Sequence, residues 1–356
     1  MNLMEFLTPL TEVAKRSGPE GTIVISSRVR LARNLKGFAF PGWASKHDRI
    51  KALELMRPAV ENLPQMKESF SAGMEELDNL DKQILVERHL ISREHASKSA
   101  GSAVVFSKGE VYSVMINEED HLRMQVILPG LQLEECWEKI DEVDTILEKQ
   151  LDYAFSPKYG YLTACPTNLG TAIRVSAMVH LPGLVLAEQI NQVIQAVNKL
   201  GLAVRGLFGE GTDALGNVFQ ISNQQTLGED ENRIVGRLSK VVAQIIEHEN
   251  NARAILLEKK KKIVLNHIGR AYGILSNAYS ISSKEALNLL SLFKLGIDYG
   301  FFPDVPRSLA EELFLICQPA HLQKMSANPM EPEERDILRA DILRERLKGV
   351  KGPVLK

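Results

Sequence analysis

The pattern of apolar positions divides the chain into a mixed first part and a helical last part. Short runs of β-branched and other apolar residues, separated by polar turns, are typical of strands. Short connections, rather than crossover helices, join most of these runs. The pattern therefore predicts a largely antiparallel sheet flanked by helices, an α+β domain. The predicted strands are 22–33, 103–106, 110–116, 124–128, 161–164, 172–180, 202–208 and 217–222.

Leu, Ile, Met and Val recur at helical spacing between these strands and throughout the last third of the chain. The spacing predicts helices over 3–16, 46–66, 74–85, 131–152 and about 184–200. From Glu229 onward no strand is predicted; the sequence is helical up to a last amphipathic segment at 333–347. We therefore expect an α+β domain over residues 1–255 and an all-helical domain over residues 256–356.

Composition and charge agree with two soluble domains. A chain of 356 residues exceeds what one hydrophobic core usually carries. The net charge of -2 gives no general attraction to nucleic acid or membrane, so neither is expected as a partner. The N-terminus lacks a signal-peptide pattern, and no apolar run reaches membrane-spanning length. Three distant cysteines without metal-ligand spacing predict a reducing, cytoplasmic location with no disulfide and no metal site.

The segment NEEDHLR, at 117–123, interrupts two predicted strands with charge. Adjacent Glu118 and Glu119 are followed by Asp120, His121 and Arg123. Such a local departure from core-forming sequence is where function is expected. A solvated turn with a nearby salt bridge explains this stretch equally well when it is taken alone.

Arginines lie in or beside several of the predicted strands: Arg28, Arg30, Arg123, Arg174 and Arg205. Arg28 and Arg30 point to the same side of an extended strand. This side could be the charged outer face of an edge strand, but the strand contains no acid to pair with it. Guanidinium groups match phosphate oxygens in a bidentate fork, so convergence of the five would hold a triphosphate. The motifs of P-loop enzymes and of Ser/Thr/Tyr-type protein kinases are absent.

Two carboxylates and a thiol accompany these arginines: Glu119, Glu210 and Cys165. They suit a planar, cationic acceptor. A guanidinium has a pKa above ~12 and is a poor nucleophile while protonated. Carboxylates can orient it by paired hydrogen bonds and accept a proton as the N–P bond develops, and a thiolate adds a further negative contact.

The motifs together resemble the ATP:guanidino phosphotransferase, or phosphagen kinase, family over about residues 20–250. The resemblance implies an antiparallel sheet, ATP and Mg²⁺ as cofactors, and transfer of the γ-phosphoryl group to a guanidinium nitrogen. It implies that Glu119 is the catalytic Glu, Glu210 a second substrate Glu and Cys165 the active-site Cys. The matching segments are SSRVR (26–30), NEEDHLR, CPTNLG (165–170), Arg174 and RGLFGEGTDALGNVFQISN (205–223).

The resemblance also implies a nucleotide site centred on the five arginines. Other histidines and cysteines, among them His121, His180, Cys136 and Cys317, are expected to be structural. The implied nucleotide-binding residues are Ser26, Ser27, Arg28, Val29, Arg30, His89, Arg123, Arg174, Val175, Ser176, Ala177, Met178, Arg205, Gly206, Leu207, Phe208 and Gly209.

Two departures from metabolite guanidino kinases refine the expectation. SSRVR begins only 25 residues into the chain, so we expect no large N-terminal domain and a more open acceptor pocket. A helical tail containing RDILRA (335–340) follows the catalytic part. These features are similar to the bacterial protein-arginine kinase (McsB) family. That similarity implies protein substrates with accessible Arg, the activator McsA, a heat-shock repressor and Clp protease as partners, and a role in the stress response.

RDILRA has two interpretations. From the residues alone, an ordinary i,i+3 ion pair between Asp336 and Arg339 is favoured. The family resemblance instead implies a phosphoarginine-binding motif formed by Arg335, Asp336, Arg339 and Ala340. The amphipathic tail also predicts a homodimer. A kinase of free arginine and a non-catalytic phosphoarginine-binding adaptor are the alternative functions.

Overall fold

The structure, a computed structural model, describes residues 3–206 and 214–354. Within these residues eight strands form one antiparallel sheet in the order β2-β3-β4-β5-β1-β8-β10-β9, and β6 and β7 form a separate hairpin. The predicted α+β class is confirmed. The strands are β1 Val24–Arg33, β2 Ser69–Gly73, β3 Ala103–Ser107, β4 Tyr112–Ile116, β5 Leu122–Pro129, β6 Phe155–Ser156, β7 Gly160–Tyr161, β8 Ile173–His180, β9 Leu202–Gly206 and β10 Val218–Asn223.

Helices flank the sheet and make up the last third of the described chain. They are α1 Leu3–Phe6, α2 Leu10–Ala14, α3 Lys46–Glu61, α4 Asn79–Glu87, α5 Arg93–Ala96, α6 Leu133–Glu148, α7 Pro182–Leu186, α8 Ile190–Lys199, α9 Glu231–Asn277, α10 Ser283–Asp298, α11 Arg307–Ile316, α12 Pro319–Lys324 and α13 Pro332–Arg346. As predicted, the described residues after Glu229 contain no strand.

Several element predictions were wrong in detail. Strand β2, SFSAG, was not predicted because its small residues carry a weak strand signal; it forms by pairing with β3 along its whole length. The helix predicted from residue 74 begins only after Asp78, whose side chain caps it by accepting from the Asp81 amide at 2.6 Å. The predicted helix over 184–200 is two helices, because Glu188 has a φ of 60°.

The two faces of the sheet have different surroundings. One face carries Val29, Leu31, Val126, Val175 and Ile221, which are buried beneath α6 and α9. On the opposite face, a second core under α1 and α4 covers only the β2–β4 end. The centre of that opposite face is therefore left to polar side chains.

The C-terminal helices have a core of their own. Leu256, Ile268, Phe293, Leu313 and Leu343 belong to it. Helix α9 runs from the sheet into this second core and departs from helical backbone angles at Lys260. The domain division at residues 255/256 stays a prediction. Among the described residues, no helix is long and apolar enough to cross a membrane.

Candidate active site

The sheet register places arginines of neighbouring strands on one face. Arg30 of β1 lies directly opposite Arg174 of β8. Arg123 of β5 lies opposite Ala32. Ala32 is two residues after Arg30, so Ala32, Arg30 and Arg123 have their side chains on the same face of the sheet. Arg28 precedes Arg30 by the same interval. Four arginines from three adjacent strands thus share the face that α6 and α9 leave uncovered.

Arg205 joins this group from the sheet edge. It lies opposite Gln220 of β10, and Gln220 lies opposite Met178, four residues along β8 from Arg174. Even-numbered intervals keep all of these side chains on one face. The positive charge of Arg205 contributes to a lowered pKa of Arg174, after the larger effect of burial. The structure therefore brings the five predicted arginines together.

The arginine cluster carries little compensating negative charge. Among the described residues, Arg123 is its only member in an ion pair, with Glu118. Arg28 donates to the neutral Gln220 side chain at 2.9 Å, Arg174 donates to a backbone carbonyl, and the buried Nε of Arg30 has no hydrogen-bond partner in the described chain. Burial, followed by the charges of Arg123 and Arg174, lowers the pKa of Arg28 to about 10. A polyanion such as a triphosphate fits this set of orphaned donors.

A cavity of about 500 Å³ adjoins the arginine face. On the sheet side it is lined by Arg28, His89, Ser176, Met178 and Gln220. Burial and the charge of Arg28 lower the pKa of His89 to about 4, so the ring is neutral at neutral pH. Ligand pockets in proteins are typically of this size, mostly apolar with a few polar groups.

The alternating pleat separates the predicted nucleotide residues into two sets. Ser27, Val29, Val175 and Ala177 have side chains buried in the core on the opposite face. Ser26, Ser176 and Met178 line the cavity. Gly206 ends β9 opposite Phe219. The predicted residues Leu207, Phe208, Gly209 and Glu210 lie outside the described residues.

The acidic loop between β4 and β5 is a tight turn in which Glu118 is an anchor. The Glu118 carboxylate accepts hydrogen bonds from Arg123 Nη1 at 2.6 Å and from Ser92 Oγ at 2.5 Å, and it is 1% exposed. Burial alone would raise the pKa of Glu118. The charge of Arg123 and these hydrogen bonds outweigh it and lower the pKa to about 2. The Glu118 carboxylate is therefore ionised, and Arg123 and Ser92 occupy it.

Asp120 and His121 fasten the same loop to two neighbouring segments. Asp120 accepts from Asn34 Nδ2 at 2.6 Å and from the Ala164 amide at 2.7 Å. His121 Nδ1 accepts from the Leu35 amide at 3.1 Å, and burial lowers the pKa of the ring to about 4. Both side chains hold the loop in place, which agrees with the expected structural role of His121.

Glu119 differs from its two acidic neighbours. Its side chain is exposed, and no hydrogen bond or ion pair within the described chain occupies its carboxylate. Partial desolvation and the negative charges of Asp120 and Glu118 raise its pKa. The loop therefore presents one free carboxylate, of increased basicity, beside the arginine face.

Cys165 lies close to this carboxylate loop. The preceding residue, Ala164, donates its amide to Asp120, which holds the cysteine turn against the acidic loop. The Cys165 thiol is partly exposed, with its sulfur 3.0 Å from Thr167 Oγ1. Cys136 and Cys317 are buried, and burial raises the pKa of each thiol to about 12. As expected, these two are core residues.

Comparison with known proteins accounts for nearly the whole chain. The ATP:guanido phosphotransferase C-terminal catalytic domain matches residues 51–252, and the protein-arginine kinase McsB C-terminal domain matches residues 261–355. The protein-arginine kinase of Halothermothrix orenii is 48% identical over 330 residues, 93% of this chain and 94% of that protein. That of Bacillus licheniformis is 44% identical over 351 residues, 98% and 96% of the two chains. This chain belongs to the protein-arginine kinase family.

Solved structures place the kinase among guanidino kinases by fold. Lombricine kinase superposes with a TM-score of 0.58 at 23% identity, over 70% of this chain and 72% of that one. The duplicated taurocyamine kinase from Schistosoma mansoni, with bound transition state analog components, gives a TM-score of 0.56 at 26% identity, over 68% and 35%. The kinase is an ATP-dependent phosphotransferase.

The RDILRA segment of the kinase lies on α13, where Arg339 is nearly inaccessible. Arg339 is 1% exposed and donates to the carbonyl oxygens of Cys317 at 3.0 Å and Ile281 at 2.7 Å. It also forms an ion pair with Asp336, the pair that the residues alone favoured. Arg335 is partly exposed and donates to the Met330 carbonyl, and Ala340 is buried.

Some site residues of the kinase were not singled out from the sequence. Gln220 accepts a hydrogen bond from Arg28 and lines the cavity. It lies within the recognised motif 205–223 but was not picked out there. The alternation of side chains along β10, which puts Gln220 on the arginine face, is the signal that could have found it. Asn34 and Ser92 hold Asp120 and Glu118. They are far from the loop in sequence, so only the folded chain reveals their roles.

Proposed function

We propose that this kinase transfers the γ-phosphoryl group of MgATP to arginine side chains of proteins. One structural relationship carries the proposal. Arg123, on the arginine face, forms an ion pair with Glu118 at 2.6 Å. The residue after Glu118 is Glu119, whose carboxylate has no partner within the described residues. A phosphate-binding surface and a guanidinium-binding acid thus share one loop. The names of the relatives support protein-bound arginine as the acceptor.

Arg28, Arg30, Arg123, Arg174 and Arg205 would hold the triphosphate by charge-assisted hydrogen bonds and spread its developing negative charge. ATP supplies the phosphoryl group. Within the described residues no group of three His, Cys, Asp or Glu side chains could bind a metal ion. Mg²⁺ commonly binds through substrate phosphates, waters and one or two carboxylates, so the arginine face is compatible with it.

Glu119 would orient the acceptor guanidinium and take its proton as the N–P bond forms. A guanidinium with a pKa above ~12 must lose a proton to become a nucleophile, and a carboxylate of raised pKa is better suited to accept it. Glu210 is proposed as the second acid that contacts the acceptor. Cys165 lies beside the same loop. Its thiol would make a polarisable contact with the acceptor and would not be the essential base.

The wider roles rest on the family resemblance. We propose that protein targets include a heat-shock repressor and substrates of Clp protease, that McsA is an activator, and that the enzyme acts in the cytoplasm during stress. Arg335 and Asp336 are partly exposed on α13 and would contact phosphoarginine, with Arg339 and Ala340 supporting them from the core. The helical tail would support a homodimer.

Phosphotransfer assays test the central proposal. The enzyme is incubated with MgATP and either a basic protein or free arginine, and acid-labile P–N phosphate is measured. Label on protein is expected. Label only on free arginine would instead identify a small-molecule kinase, and no label on either would identify a non-catalytic binding protein.

Glu119→Gln tests the assigned acid within the same assay. We expect labelling to fall at least about a thousandfold, within the range of losses seen when a general base is removed. Glu142→Gln, on the exposed side of α6, is the control and should leave labelling unchanged. Wild-type activity in Glu119→Gln would refute the assignment.

A further inference from the structure

The segment between β1 and α3, residues 34–45, lies against the acidic loop; we call it the aromatic segment. The rings of Phe38 and Phe40 meet the ring of His121 edge-on, at centroid distances of 6.1 Å and 6.3 Å. His121 is two residues after Glu119. The aromatic segment is therefore a direct neighbour of the loop that presents the Glu119 carboxylate.

The start of the aromatic segment is hydrogen-bonded to the acidic loop. Asn34 Nδ2 donates to Asp120 at 2.6 Å, and Asn34 Oδ1 accepts from the His121 amide at 2.9 Å. The next amide, of Leu35, donates to His121 Nδ1 at 3.1 Å. These hydrogen bonds are buried, so the segment leaves the loop in a fixed direction.

The end of the aromatic segment is bonded to the same loop through α3. The Ala44 carbonyl accepts from Arg49 Nη1 at 2.9 Å, and the Arg49 carbonyl accepts from Asn117 Nδ2 at 2.9 Å. Asn117 is the first residue of the acidic loop. Because both ends are tied to the loop that carries Glu119, the residues between them are held at a constant distance from that carboxylate.

Trp43 projects from this fixed segment into solvent. Its amide and that of Ala44 donate to the Phe40 carbonyl at 2.8 Å and 2.9 Å, and Pro41 and Ala44 are buried. The Trp43 side chain is 90% exposed, more than any other large apolar side chain among the described residues. Single exposed apolar residues are normal on protein surfaces. An indole on a rigid turn, however, is ordered before binding, and Trp is enriched among the residues that dominate interfaces.

The reaction determines what can cover Trp43. An arginine whose guanidinium reaches Glu119 is joined to its own chain by a short methylene stem. The residues beside that arginine must therefore lie on the surface around Glu119, and the aromatic segment is part of this surface. A polypeptide acceptor has such flanking residues, whereas free arginine has none.

We propose that Trp43 packs against an apolar side chain next to the target arginine, so that the aromatic segment is a docking platform for the acceptor polypeptide. The inference rests on the proposed function, which places the acceptor guanidinium on Glu119. Trp43 is a specificity-determining residue in this arrangement: it selects the sequence around the target arginine and has no part in proton transfer or in nucleotide binding.

Steady-state kinetics test the platform. The acceptors are a short peptide with one arginine between leucines and the basic protein of the phosphotransfer assay. Trp43→Ala should raise KM for the peptide about tenfold and leave kcat and the KM for ATP unchanged, because the lost contact is equal in the ground state and the transition state. Trp43→Phe should restore most of the affinity. Leu200→Ala, an exposed apolar residue in the turn before the edge strand β9, is the control and should change none of these constants.

Tryptophan fluorescence gives a direct readout of the contact. The chain has two tryptophans, Trp43 and Trp137, so Trp137→Phe leaves Trp43 as the only one. The peptide should shift the Trp43 emission to shorter wavelength and protect it from acrylamide quenching. The same peptide with serines in place of the leucines should have a smaller effect. Unchanged emission at peptide concentrations above KM would refute the contact.

The outcomes separate this inference from the function on which it rests. If the wild type phosphorylates neither the peptide nor the basic protein, the proposed function fails. If it phosphorylates either one, and Trp43→Ala has the wild-type KM for it, only the platform is refuted. Sedimentation velocity covers the remaining occupant: a changed oligomeric state in Trp43→Ala would identify this surface as a contact between copies of the chain and overturn the proposal.

Discussion

Arg30 of β1 lies directly opposite Arg174 of β8 in an antiparallel pair. Within the described part of the chain no carboxylate oxygen lies within 4 Å of either guanidinium, and each has a pKa lowered by burial and by neighbouring arginines. Like charges placed opposite each other destabilise a sheet. The arrangement therefore stores repulsion that a bound polyanion relieves.

Arg30→Met should separate stability from function. Removing one of two facing charges is expected to leave the thermal midpoint of the ligand-free protein unchanged or a few degrees higher, while ATP affinity falls at least about tenfold. Differential scanning fluorimetry with and without ATP measures both. Arg33→Met is the matched control on the same strand, since Arg33 is buried against Asp144 at 2.6 Å; it should lose about 3–5 kcal/mol of stability. A lower midpoint for ligand-free Arg30→Met would contradict the repulsion argument.

Glu118 should contribute stability that is lost in acid. Its folded-state pKa of about 2 lies below the usual value of about 4.3, so the unfolded chain binds the proton first as pH falls. The contribution of Glu118 to the free energy of unfolding is on the order of 3 kcal/mol. It is fully present above about pH 5 and declines from pH 4 towards pH 2. Urea unfolding of the wild type and Glu118→Gln between pH 7 and pH 3 should show a stability difference that shrinks in acid. Glu119→Gln, whose parent carboxyl has a raised pKa, should not show this loss; a constant difference for Glu118→Gln would refute the assignment.

Cys165 should be the reactive thiol of the native enzyme. It is partly exposed, whereas Cys136 and Cys317 are buried with pKa values raised to about 12. Brief iodoacetamide treatment followed by peptide mass spectrometry should show modification at Cys165 and loss of kinase activity. Cys165→Ser should retain activity within about a hundredfold and resist the reagent, because Glu119 rather than the thiol takes the proton. Early labelling of Cys136 would contradict the burial.

Arg335 and Arg339 should have different roles despite sharing one motif. Arg339 joins α13 to the carbonyls of Cys317 and Ile281, so Arg339→Ala should destabilise the C-terminal core by about 3–5 kcal/mol. Arg335→Ala should change the unfolding midpoint little and weaken binding of a phosphoarginine peptide, measured by fluorescence anisotropy. Unchanged peptide binding in both Arg335→Ala and Asp336→Ala would refute the phosphoarginine site.

Much of the fold could be predicted because its signals are local. Alternation in SSRVR placed Arg28 and Arg30 on one side of a strand, and short connections predicted antiparallel pairing, as observed. Strand β2 could not be predicted, since SFSAG depends on β3 for its pairing and its burial. Glu188 likewise interrupts a helix that apolar spacing alone would continue.

The sequence by itself determined the chemistry available to this protein: five strand-borne arginines, an acidic loop and a cysteine turn, each recognisable because its residues are near neighbours in the chain. Tertiary structure decided how that chemistry is divided. Asn34, Ser92 and Arg123 bind Asp120 and Glu118, so among the described contacts only Glu119 of these three acids has a carboxylate without a partner. The reason is physical: hydrogen bonding and burial depend on contacts between segments that are distant in the chain, and those contacts exist only after folding.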